Sequence, residues 1–202
     1  MLSSPFEAFN LYEDRSGLPH DFIRRVNSEN PDSNAWARLE RSELSPTEFD
    51  EVFARESEAL GHRIPGADVL SLLHGDIRPE MVRAIDVVKD NGYLTACLTN
   101  NVLSTPDDRS APDDAKRKEI AAILERFDAL IESSKVGVRK PEPRFYEIAC
   151  VTLAVEPTEC VFLDDLGINL KPAAAMGMKT IKVTSAAQAL AELATHTGLS
   201  FQ

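Results

Sequence analysis

Two adjacent carboxylates, Asp164 and Asp165, follow directly on the apolar run Val161-Phe162-Leu163. Such a run reads as a buried strand, and neighbouring acids at its end repel each other and resist dehydration. They need a cation. Grouped hard oxygen ligands suit Mg²⁺, which keeps several waters and requires only one or two carboxylates plus a substrate phosphate. The competing reading is a solvated acidic helix start, which the helix dipole also favours. A second stretch, Thr99-Asn100-Asn101, closes the run YLTACLT. A hydroxyl, an amide side chain and free backbone N–H groups make a cradle for an anion; an ordinary Thr/Asn turn is the alternative. Third, Lys140 precedes Pro141, which biases the lysine toward extended backbone. Held there it would be a fixed positive charge in a crevice, against the commoner solvated lysine.

These residues do chemistry together only if the fold brings them to one place. From about residue 79 helical and extended patterns alternate. Residues 79–90 read as a helix with Met81, Ile85 and Val88 inward, 93–99 as a strand, 115–126 as a helix and 129–132 as a strand. Helix 143–154, strand 160–163, helix 170–176 and strand 180–183 follow, and Ser185 caps a last helix ending near Gly198. This alternation implies right-handed crossovers and a Rossmann-like parallel sheet with helices on both faces. Ligands of such sheets gather at the carboxyl ends of the strands, where all three stretches fall. Before residue 78 only helices are predicted: 18–29, 34–44, and a third opened by Ser45-Pro46-Thr47-Glu48. That tetrapeptide combines an N-cap serine, a proline at the first helical position and a glutamate closing a capping box.

The whole-chain properties exclude several classes. A length of 202 residues suits one domain or one domain with an inserted lobe. No apolar run reaches the roughly 20 residues of a membrane span, and MLSSPFEAFN lacks the basic and apolar regions of a signal peptide. A cytoplasmic protein is expected, with Cys97, Cys150 and Cys160 as buried reduced thiols. The net charge of −11 argues against nucleic acid, whose phosphates need a basic face. A small anionic substrate remains compatible if its site builds a local positive field. No feature specifies an oligomeric state.

Taken in order, CLTNN, GVRKPEPRFYEIA and VFLDDLGINLKPAAAMGMKTI resemble the second, third and fourth motifs of the haloacid dehalogenase superfamily of hydrolases. The likeness covers nearly the whole chain and is strongest to the branch holding the leading phosphatase domain of soluble epoxide hydrolase. It implies an α/β core over residues 79–202, an inserted all-helical cap over 10–78, and residues 1–9 as the remnant of the core's entry. It also implies Mg²⁺-dependent hydrolysis of a small phosphorylated substrate through an aspartyl-phosphate. Thr99 and Asn100 would hold the phosphate, and Lys140 would stabilise charge on the nucleophile and the phosphoryl oxygens. Asp165 would bind Mg²⁺ directly with Asp164 beside it. In this fold the cap chooses the substrate, which makes Trp36, Arg38 and residues 104–109 candidates for that surface.

The family opens with a strand ending in Asp-x-Asp or Asp-x-Gly-Gly, whose first aspartate is the nucleophile. Met1-Leu2-Ser3-Ser4-Pro5 matches the region just after that motif. The strand and its aspartate are therefore expected upstream of Met1. Two alternatives stay open: a degenerate module that binds a phosphorylated ligand or a partner without catalysis, and a metal-independent haloacid dehalogenase. The Asp164-Asp165 pair speaks against the second.

Overall fold

The computed structural model describes residues 5–73, 75–101 and 114–201; the candidate surface at 104–109 lies outside them. Five helices come first: α1 (Phe6–Ser16), α2 (Phe22–Ser28), α3 (Ala35–Glu40), α4 (Pro46–Ala59) and α5 (Gly66–Ser71). Helix α4 begins as its sequence predicts. The Ser45 hydroxyl accepts from the Glu48 backbone N–H, and the Glu48 carboxylate accepts from that of Ser45, satisfying two N–H groups that a helix start leaves without partners. Its apolar side, Phe49 and Phe53, packs into a core with Phe9, Phe22, Ile23, Leu39 and Val69. Helices α1 and α5 were not predicted. Helix α5 lies directly on the α4 backbone: a Cβ at Gly66 would sit 2.8 Å from the Asp50 Cα, so only glycine permits this approach.

The remaining elements are α6 (Pro79–Asp90), β1 (Ala96–Thr99), α7 (Asp114–Leu124), β2 (Ala129–Glu132), α8 (Ser133–Val136) and α9 (Pro143–Leu153). A single 3-10 turn, Pro157–Glu159, leads to β3 (Val161–Asp164), α10 (Gly167–Ala175), β4 (Lys179–Lys182) and α11 (Ala186–Thr197). Strand β1 is shorter than expected. Tyr93 and Leu94 are exposed, and Thr95 instead donates its backbone N–H and its hydroxyl to the Asp128 carboxylate just ahead of the ladder.

The four strands pair in parallel, as two ladders of two. β1 runs beside β2, ending with Thr99 opposite Glu132, and β3 beside β4, ending with Asp164 opposite Lys182. Among the described residues β1 pairs only with β2, and β3 only with β4. Every residue of β1 and the first three of β3 stay half-buried, short of the burial that parallel strands covered on both faces reach. Helix α9 bridges the ladders on one side. Phe145, Tyr146 and Cys150 pack with Leu98 of β1, Ile131 of β2 and Phe162 of β3. The Tyr146 ring meets Phe162 edge-on at 5.3 Å, and its hydroxyl donates to the Asn169 carbonyl at 2.6 Å. All three cysteines are free thiols, but only Cys150 is fully buried; Cys97 and Cys160 are half-buried. No described helix is long and apolar enough to cross a membrane.

Candidate active site at the strand ends

Lys140 lies in the loop between α8 and α9. Gly137 ends α8 with φ +72°, a left-handed turn that favours glycine, and the Lys140-Pro141 peptide is cis. Asn100, the first residue after β1, grips this loop with both ends of its amide. Its Oδ1 accepts from the Lys140 backbone N–H at 2.8 Å, and its Nδ2 donates to the Lys140 carbonyl at 3.0 Å. The lysine side chain then crosses to β3, placing Nζ 2.8 Å from Asp164 Oδ2 and 5.9 Å from the Phe162 ring centroid. The other Asp164 oxygen accepts from the Leu166 N–H at 2.8 Å and from Asn169 Nδ2 at 3.0 Å. The pair is 13% and 6% exposed. Burial that deep is tolerable because each charge has its counter-ion and Asp164 is fully hydrogen-bonded.

Asn101 ties the same strand end to β2. It donates to the Glu132 carboxylate at 2.8 Å and accepts from the Ser134 hydroxyl at 2.8 Å, while its backbone N–H goes to Ser133. Two predicted site residues remain uncommitted. Neither the half-buried Thr99 hydroxyl nor the exposed Asp165 carboxylate has a hydrogen bond or ion pair with any described residue. The predicted residues thus divide: Asn100, Lys140 and Asp164 hold one another, and the Thr99 and Asp165 side chains have no partner among the described residues.

Sequence reasoning missed a buried neighbour. Glu40, at the end of α3, places Oε2 2.5 Å from Arg139 Nε and accepts from Asn100 Nδ2 at 3.2 Å. Burial pushes its carboxyl above the ordinary range, and the Arg139 charge only partly opposes this. Sixty residues separate Glu40 from Asn100, and no local pattern bridges such a distance. The one available signal was helical spacing, which sets Glu40 a turn beyond Trp36. Trp36 packs edge-on against Phe49 at 5.6 Å, and its indole opposes the burial that raises Glu40.

Among the described residues no three His, Cys, Asp or Glu side chains gather as a ready-made metal cage. The free carboxylate of Asp165 is the donor that stands open, since Asp164 is committed to Lys140. One open carboxylate fits Mg²⁺, which retains waters and completes its shell with substrate oxygens; it does not fit a closed structural site.

A family model described as haloacid dehalogenase-like hydrolase matches residues 6–177. Bifunctional epoxide hydrolase 2 of Mus musculus is 34% identical over 204 residues, covering 96% of this chain and 36% of that protein. The chain thus spans about a third of the length of that relative. A sesquiterpene phosphatase of Aspergillus oryzae is 26% identical over 166 residues, covering 80% of this chain and 78% of that one. A solved HAD-family enzyme of Bacteroides thetaiotaomicron, in complex with magnesium and inorganic phosphate, shares the fold. Its TM-score is 0.55 at 17% identity, over 86% of this chain and 88% of that one. From residue 6 to residue 177, through all three strand-end stretches, the chain belongs to the haloacid dehalogenase-like hydrolases.

Proposed function

We propose that the chain supplies the phosphate-binding and charge-stabilising part of a Mg²⁺-dependent phosphomonoester hydrolase. One observation carries this reading: the bonded series Asn100, Lys140, Asp164 joins the C-terminal ends of β1 and β3, which belong to two separate ladders. A strand seated between those ladders, encoded upstream of Met1, would bring an attacking carboxylate to the same ends as Thr99, Lys140 and Asp165.

Phosphoryl transfer is catalysed mainly by positioning and electrostatics. The Thr99 hydroxyl would hold a phosphoryl oxygen. Lys140, fixed by Asn100 and Asp164, would offset the charge that grows on the phosphoryl oxygens in the transition state. Asp165 would hold Mg²⁺, whose bound charge neutralises the same oxygens. Helices α1–α5 would form the cap over a small phosphorylated substrate. A phosphatase among the relatives and the magnesium and phosphate bound by the Bacteroides enzyme support this reading; the relatives include haloacid dehalogenases as well, but a metal-independent dehalogenase has no use for an uncommitted Asp165.

The test is turnover of p-nitrophenyl phosphate by the protein extended upstream of Met1. Hydrolysis should require Mg²⁺ and vanish when the first aspartate of the added strand becomes asparagine. Release of chloride from 2-chloropropionate without added metal, and no phosphate release, would overturn it.

A further inference from the structure

Glu40 is a buried titratable group that the proposed chemistry leaves unused, and it stands on α3, ahead of the first strand. It lies in a polar seam. Arg139 donates to the Pro31 carbonyl at 3.0 Å, and Ser42 donates to the Ser134 carbonyl at 3.3 Å. Arg41 lies 3.8 Å from the Glu142 carboxylate. The Arg139 and Glu142 contacts join residues 31–42 to the loop that carries Lys140, and the Ser42 bond joins them to α8 just before it.

Among the described residues of this seam, Glu40 reaches past the loop to the strand end itself. The Asn100 amide has two N–H donors and one oxygen. One donor is committed to the Lys140 carbonyl and the other to Glu40 Oε2, while the oxygen takes the Lys140 N–H. An acceptor at the second donor decides which way the amide faces. A flipped amide would set NH₂ against the Lys140 N–H, and would aim its own carbonyl oxygen at the Glu40 carboxylate. The Arg139 guanidinium, ion-paired to the same Glu40 oxygen, keeps that acceptor in place.

We propose that Glu40 is a positioning residue: by accepting from Asn100 it orients the amide that fixes the Lys140 loop, and so couples docking of the helical unit to oxyanion binding. The coupling to an oxyanion rests on the phosphate-site reading above; the orientation of Asn100 does not.

Two readouts on the chain 1–202 separate these. The first is hydrogen exchange of the Lys140 backbone N–H without ligand. Loss of one hydrogen bond to a charged acceptor corresponds to about tenfold, so Glu40→Ala should speed that exchange about tenfold. Glu40→Gln, whose side-chain oxygen still accepts from Asn100, should stay within about threefold of the wild type. The second is calorimetric titration with tungstate, which should weaken in Glu40→Ala in the same proportion. Unchanged Lys140 exchange in a folded Glu40→Ala variant overturns the proposal. So does tenfold faster exchange in Glu40→Gln, which would assign the effect to the charge on Arg139; this second arm decides the matter if Glu40→Ala fails to fold. Absence of tungstate binding in the wild type would sink the phosphate-site reading alone.

Discussion

The Lys140 ammonium lies 2.8 Å from Asp164 Oδ2, with both side chains almost fully withdrawn from water. This one ion pair connects the loop before α9 to the end of β3. Removing one partner of a buried pair strands the other charge, at a cost of about 3–5 kcal/mol. Lys140→Met should therefore lower the urea midpoint strongly. The double variant Lys140→Met/Asp164→Asn, which leaves no charge unpaired and keeps an oxygen for Leu166 N–H, should regain at least half of the loss. Equal midpoints for Lys140→Met and the wild type would show that the pair contributes no stability.

Asp165 behaves oppositely. It is exposed and has no described partner, so Asp165→Asn should leave stability within about 0.5 kcal/mol of the wild type. The same change should abolish Mg²⁺ binding, because a hard cation needs anionic oxygen. Calorimetric titration with MgCl₂ beside a thermal melt checks both. Retained Mg²⁺ affinity in the variant would remove Asp165 as the ligand.

The proposed function requires a further strand beside β1 and β3, which among the described residues have one ladder partner each. In-frame codons ahead of Met1 should encode a run of apolar residues ending in Asp-x-Asp or Asp-x-Gly-Gly. The chain 1–202 alone should associate with rising concentration, since unpaired strand edges recruit other strands. Sedimentation velocity with and without the added segment tests the second statement; an in-frame stop codon just before Met1 rules out the first.

Tyr12 gives a pH signature on the helical side. Its hydroxyl donates to Asp68 at 2.8 Å, joining α1 to α5. Burial, and then the bond to Asp68 and its charge, push the phenol up to about 12 from 10.0. A group whose folded value is raised binds its proton more tightly when folded. Its contribution is present below pH 10 and is lost as pH rises through about 12. Tyr12→Phe should flatten the fall in stability over that window, followed by denaturation at fixed pH values. An unchanged slope would show that Tyr12 does not carry the step.

Much of this arrangement was legible in the residues. Ser45-Pro46-Thr47-Glu48 marked the start of α4 because a capping box is local, and the Ser185 cap and the left-handed Gly198 bracket α11 for the same reason. The strand-end positions of Asn100 and Asp164 followed from the alternation of strands and helices; Lys140 was expected directly after the second strand, but α8 stands between them. Helix α1 escaped notice although Phe6, Phe9 and Tyr12 repeat every three residues; Pro5 supplies no side-chain cap to announce it. Helix α5 is six residues long and is held by packing on α4. The bond between Glu40 and Asn100 was invisible because it is made by tertiary approach, with no propensity or spacing to record it. The same holds for the division of labour between Asp164 and Asp165: two identical side chains in sequence are separated only by which of them the lysine reaches.

Trp36 is the one tryptophan in the chain, and its indole is near enough to act on the Glu40 carboxyl. All indole emission therefore originates one side chain away from the seam between the helices and the lysine loop. Separation of the two surfaces would wet that indole and move its emission to longer wavelength. The protein carries its own optical gauge of closure, readable in a cuvette without a label.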